Sequence, residues 1–145
     1  MLNKSFLVKC IRTVFISIFL LLVFVPPKAE AVRFIVAGDS RGGPGTGYPF
    51  LNTTILGEIA QATLAENADF ILLPGDLVWG YPTLTYPLID QLAAWRTTMQ
   101  PVYDAGIGVF PCRGNHDAAN DSPARTAWNT VFSGEYALPD NGPAG

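Results

Sequence analysis

An α/β fold with three mainly parallel strands and two crossover helices is the architecture this sequence predicts. The first observation behind it is a set of three Gly-Asp/Asn corners, each closing an apolar run: Gly38-Asp39, Gly75-Asp76 and Gly114-Asn115-His116-Asp117. The second is their spacing, 37 and 39 residues (76 minus 39, 115 minus 76), about one strand–helix–strand unit. Strands joined this way run parallel, and their carboxyl ends share one edge of the sheet. Oxygen ligands and a histidine then converge in one crevice, a donor set for hard or borderline metal ions.

Taken in order, residues 32–37 (Val-Arg-Phe-Ile-Val-Ala) are a β-branched apolar run, read as a buried strand. Residues 39–48 hold four glycines and form a loop; the Gly-Lys-Ser/Thr ending of a nucleotide-binding loop is absent. Residues 52–67 place Ile55, Ile59, Ala62 and Leu64 on a recurring face, with Asn52 or Thr53 as cap, so an amphipathic helix is expected. Residues 69–73 are the second buried strand, and 81–87 an aromatic, proline-broken connection. A second helix spans 88–103, with Leu92, Trp95 and Met99 as core and Pro101 as a kink or stop. Residues 107–112 are the third strand. Beyond the third corner, 118–145 reads as turn-rich, with Trp128, Phe132 and Tyr136 as its aromatic residues.

The first 31 residues differ from the rest. Lys4, Lys9 and Arg12 precede a nearly unbroken apolar stretch over 14–25, followed by Pro26-Pro27 and Ala29-Glu30-Ala31. That three-part pattern is a signal peptide cleaved after Ala31, with residues 32–145 as the exported domain, periplasmic or secreted. The apolar stretch is shorter than the roughly 20 residues a membrane-spanning helix needs, so no stable membrane partner is expected after cleavage. The mature chain carries five arginines, no lysine and 11 acidic residues, a formal charge of −6. No basic stripe holds a nucleic-acid backbone. Cys112 is its one cysteine and reads as a buried, inert thiol.

The glycine before each ligand residue lets the backbone turn sharply and a metal approach closely. Asp39 and Asp76 offer carboxylates and Asn115 a neutral amide oxygen. His116, the single histidine, suits a metal ligand, a general acid or a satisfied core residue; Asp117 beside it favours a proton donor oriented by a carboxylate. Turns alone, with no site, would leave these residue types at matching strand ends without a reason.

The three corners, Gly38-Asp39-Ser-Arg41, Gly75-Asp76 and Gly114-Asn115-His116-Asp117, resemble the first three motifs of the calcineurin-like metallophosphoesterases, a superfamily that includes the purple acid phosphatases. The resemblance covers residues 32–140. It implies the amino-terminal half of a four-layer αββα sandwich and a hydrolase of phosphate esters with two metal ions, Fe, Mn or Zn. By carry-over Asp39 binds the first metal, Asp76 bridges both and Asn115 binds the second. His116 protonates the leaving oxygen or holds the phosphoryl group, supported by Asp117. Departures from the family pattern stand out. Most of the family has histidine where this chain has Arg41, and a guanidinium has no lone pair for a metal; it clamps a phosphate oxygen or pairs with an acid. Purple acid phosphatases use a tyrosine where this chain has Trp79. The family's downstream histidines, including a Gly-His-x-His motif, are also absent after His116. The chain therefore reads as the amino-terminal piece of a longer enzyme whose remaining half is a missing partner. Such a piece is expected to bind metals weakly, leave an apolar sheet face bare and catalyse poorly alone; a degenerate phosphate- or metal-binding domain is the alternative.

Overall fold

A computed structural model describes residues 31–43, 48–80, 86–117 and 122–138. Residues 1–30, within the segment read above as a signal peptide, 44–47 of the glycine loop, 81–85 of the proline-broken connection, 118–121 and 139–145 lie outside them. The described residues form strands β1 (Phe34–Val36), β2 (Phe70–Leu73) and β3 (Gly108–Pro111) and helices α1 (Thr53–Ala65), α2 (Leu88–Asp104) and α3 (Ser122–Val131). A single 3₁₀ turn, Gly134–Tyr136, follows. The sheet is parallel throughout, in the order β1-β2-β3, with Phe34 opposite Phe70 and Phe70 opposite Gly108.

Right-handed crossovers in a sheet of this order place α1 and α2 on the same face. Ile71 and Leu73 of β2 and Val109 of β3 point to that face and are buried with Leu56 and Ala60 of α1 and Leu92, Trp95, Met99 and Val102 of α2. Asn52 caps α1 by accepting the Ile55 N–H at 3.1 Å. The buried stripe of α1 is Leu56, Ala60 and Thr63, while Ile55 is exposed and Ala62 lies on the outer side. The face expected from the sequence was therefore rotated toward solvent. Thr63 disguised the true one: its hydroxyl donates to Ile59 O at 2.8 Å, so a polar residue sits satisfied in the core.

The Leu92-Trp95-Met99 core of α2 is as expected. Pro101 does not end that helix, which runs to Asp104; the Ala105 N–H returns to Pro101 O at 3.2 Å, and Gly106 at φ 72° follows. The turn-rich reading of the segment after the third corner is corrected by α3, which buries Ala124, Ala127 and Val131 and packs on α2.

The opposite face of the sheet carries Phe34, Val36, Phe70, Leu72 and Phe110. Phe34 and Phe70 stack with ring centroids 5.4 Å apart, and Phe70 meets Phe110 edge-on at 5.6 Å. Phe34 and Val36 are more than half exposed and Ile35 is half-buried against the core, so β1 is a strand covered on one side only, not the fully buried strand its composition suggests. The bare apolar face foreseen from the sequence is present among the described residues.

Candidate functional site

All three corners leave the sheet at one edge. After β1 the Ala37 N–H donates to Leu72 O at 3.1 Å, and the Asp39 N–H to Gly75 O at 3.3 Å, so the first corner is laced onto the second. The second is pressed onto the third: a Cβ on Gly75, whose φ is 111°, would stand 2.6 Å from Gly114 Cα, and one on Gly114 would fall on Asp76 Oδ1. Only glycine permits that approach at both positions. Asp39 and Asp76, which follow glycines, themselves take the left-handed conformation, with φ of 58° and 53°. Side chains other than Asn and Asp seldom occupy this region, and strained backbone of this kind clusters at functional sites.

Ser40 holds the first corner in place. It is buried, its hydroxyl donates to Leu77 O at 2.9 Å, and it accepts the Trp95 Nε1–H at 3.1 Å. Its carbonyl takes the Asn52 N–H at 2.9 Å. One small residue thus ties the loop after β1 to the loop after β2, to α2 and to the cap of α1. Sequence reasoning passed over it; the signal was a hydroxyl between two charged residues in a corner that must be rigid.

Arg41 turns back over the edge. Its Nε lies 2.7 Å from Asp39 Oδ1 and its Nη1 3.2 Å from Asp76 Oδ2. Of the two roles open to it in the sequence, the geometry realises pairing with acids. The other oxygen of Asp76 accepts the His116 backbone N–H at 3.1 Å. Asp39 is two-thirds exposed and Asp76 about one-fifth.

The His116 ring stands at the third corner, its Nδ1 2.8 Å from the Trp79 carbonyl. A carbonyl only accepts, so Nδ1 carries the proton. The rings of Trp79 and His116 lie 5.2 Å apart, tilted by 45°. The orienting contact expected from Asp117 therefore comes from Trp79, which the sequence showed only as a residue unable to bind metal. Asp117 is wholly buried, and its Oδ2 accepts the Gly114 N–H at 3.1 Å. Burial pushes its carboxyl above the usual carboxylate range and the Asp76 charge adds to that, while the Gly114 N–H pulls the other way. Its Oδ1 is buried with no hydrogen-bond partner among the described residues. Asn115 is exposed in the same corner. Cys112 is exposed too, correcting the buried thiol expected there.

Asp39, Arg41, Asp76 and His116 thus form one connected chain of contacts, with Asn115 at its end and Asp117 beneath. Two carboxylates and an amide oxygen are suitable chemistry for a hard cation. Asp39 Oδ1 and Asp76 Oδ2 already face a guanidinium, and among the described residues no group of three His, Cys, Asp or Glu side chains gathers around one point.

Among curated proteins and among solved structures, no match was found to this chain. A family model described as calcineurin-like phosphoesterase matches residues 32–142, which takes in all three corners and every residue of the contact chain. The chain belongs to the calcineurin-like phosphoesterase family.

Proposed function

We propose that this chain serves phosphate-ester hydrolysis in an exported, metal-dependent phosphoesterase. The observation that carries the reading is the convergence of Asp39, Asp76, Asn115 and His116 at one sheet edge, inside the segment that matches the family model. The proposed cofactor is a pair of ions of the Fe, Mn or Zn type, for which Asp39, Asp76 and Asn115 are the candidate donors. Arg41 stands across two of those donors.

The remaining roles follow from the chain's own atoms. The Trp79 carbonyl fixes Nδ1–H of His116, so proton transfer by this ring runs through Nε2. There the imidazolium form donates to the leaving oxygen of the ester. Arg41 is the one guanidinium in the contact chain and the natural partner of a phosphoryl oxygen once it leaves the carboxylates. Asp117 is a positioning residue: it holds the Gly114 N–H and through it the turn that carries His116. The substrate is a phosphate ester, and the −6 charge of residues 32–145 argues against a nucleic-acid-binding surface. Export by the first 31 residues predicts a mature amino terminus at Val32, read directly by terminal sequencing.

A non-catalytic phosphate- or metal-binding domain is the second reading, favoured by the same Arg41 pairing. The deciding experiment is hydrolysis of p-nitrophenyl phosphate and bis-p-nitrophenyl phosphate in the presence of Mn²⁺. Turnover that is abolished by chelator and by His116→Ala supports the enzyme. A rate equal to buffer, together with phosphate binding by titration calorimetry, supports the binding domain over catalysis by these residues on their own.

A further inference from the structure

Among the described residues, the cation that meets both Asp39 and Asp76 belongs to the chain itself. Arg41 spreads Nε and Nη1 over two different carboxylates, at 2.7 and 3.2 Å. The planar fork that ordinarily grips one carboxylate is here shared between two corners. The guanidinium therefore takes the place of a cation common to the first and second strand ends. It is held there by its backbone: Ser40 just before it is locked to Leu77 and Trp95, and Arg41 itself bridges to Leu51.

We propose that Arg41 is a built-in counter-cation that competes with divalent metal for the Asp39–Asp76 pair. Occupancy of the pair by guanidinium and by metal is mutually exclusive, so the arginine sets how tightly, and at what metal concentration, this edge loads. The inference rests on the metal-binding part of the function proposed above, and its test reads ion binding rather than hydrolysis. The ion pair is partly open to solvent, Arg41 at 31% and Asp39 at 66% side-chain exposure, which places the expected effect near tenfold rather than thousandfold.

The test is calorimetric titration of the purified 145-residue chain with Mn²⁺, comparing wild type, Arg41→Gln and Arg41→Lys, with circular dichroism to confirm folding. Arg41→Gln is expected to bind at least about tenfold more tightly than wild type, about 1.4 kcal/mol, and Arg41→Lys to stay near wild type. Free guanidinium at non-denaturing concentration is expected to weaken Mn²⁺ binding to Arg41→Gln where sodium at equal ionic strength does not. Equal or weaker binding by a folded Arg41→Gln chain overturns the inference alone. Binding by neither protein overturns both the inference and the metal-dependent part of the proposed function. Should Arg41→Gln fail to fold, the wild-type chain decides by nitrogen-15 spectroscopy. The Arg41 Nε–H resonance should move to a solvent-exchanging position as Mg²⁺ saturates the pair, and a resonance unmoved at saturation overturns the proposal.

Discussion

The backbone N–H of His116 donates to Oδ1 of Asp76 at 3.1 Å, so the third corner of the sheet edge uses the second as its anchor. That bond forms only because Gly114, two residues earlier, lets the chain lie against Asp76.

Gly114→Ala is accordingly expected to separate the two corners. Its added Cβ would meet Asp76 Oδ1 and the Asp76 backbone, and neither can yield without breaking the His116 bond. A loss of about 1–3 kcal/mol, the usual cost of overpacking, is expected in urea denaturation. A variant as stable as wild type would show that the close approach does not exist.

Ser40→Ala removes the hydroxyl that serves both Leu77 O and Trp95 Nε1–H. Two buried groups lose a partner, and the expected cost is about 1–3 kcal/mol. Trp95→Phe removes one of those groups, so the double variant should lose less than the sum of the singles. Strict additivity in a double-mutant cycle would disprove the shared contact.

Asp117 gives a pH dependence with a definite sign. Its carboxyl is raised in the folded chain, chiefly by burial. A carboxyl raised on folding contributes stability below its unfolded pKa, about 3.9, and that contribution is lost as pH climbs through the folded value. Asp117→Asn, which keeps an oxygen for the Gly114 N–H, should therefore be the more stable protein at neutral pH. The advantage should vanish below about pH 4, the ordinary carboxylate range. The measurement is the urea midpoint against pH in chelator; a wild type more stable than the variant at pH 7 reverses the sign and refutes the burial argument.

Cys112 is exposed at the end of β3, so it should react with a disulfide reagent such as dithionitrobenzoate in the native chain at close to the denatured rate. Reaction only after unfolding would restore the buried thiol. The second cysteine, Cys10, belongs to the segment expected to be cleaved, so residues 32–145 provide a one-thiol assay.

The strand–helix alternation was legible because each strand is a compact apolar run ended by glycine, and because Leu92, Trp95 and Met99 recur at helical spacing. The helix α3 was not legible. Its buried positions, Ala124, Ala127 and Val131, are small, and its Ser, Thr, Asn and Pro content resembles a loop. The one-sided exposure of β1 follows from topology: an order of β1-β2-β3 puts both crossovers on one face, and a run such as Phe-Ile-Val has the same composition either way. At the site, the three corners were readable from residue type and spacing. The pairing of Arg41 with two acids was one of two open options, and only the fold selects between them. The partner of His116 was beyond reach because it is a main-chain carbonyl, which every residue possesses and no side chain announces.

The left-handed backbone of Asp39 and Asp76 has a consequence for any attempt to improve this protein. At φ of 58° and 53° glycine is more comfortable than aspartate, so a search for thermal stability alone would favour removing the two carboxylates. Robustness and ligand chemistry pull in opposite directions at these two positions. A variant selected for heat resistance that carries glycine at either one would be a better-folded chain with an emptier edge.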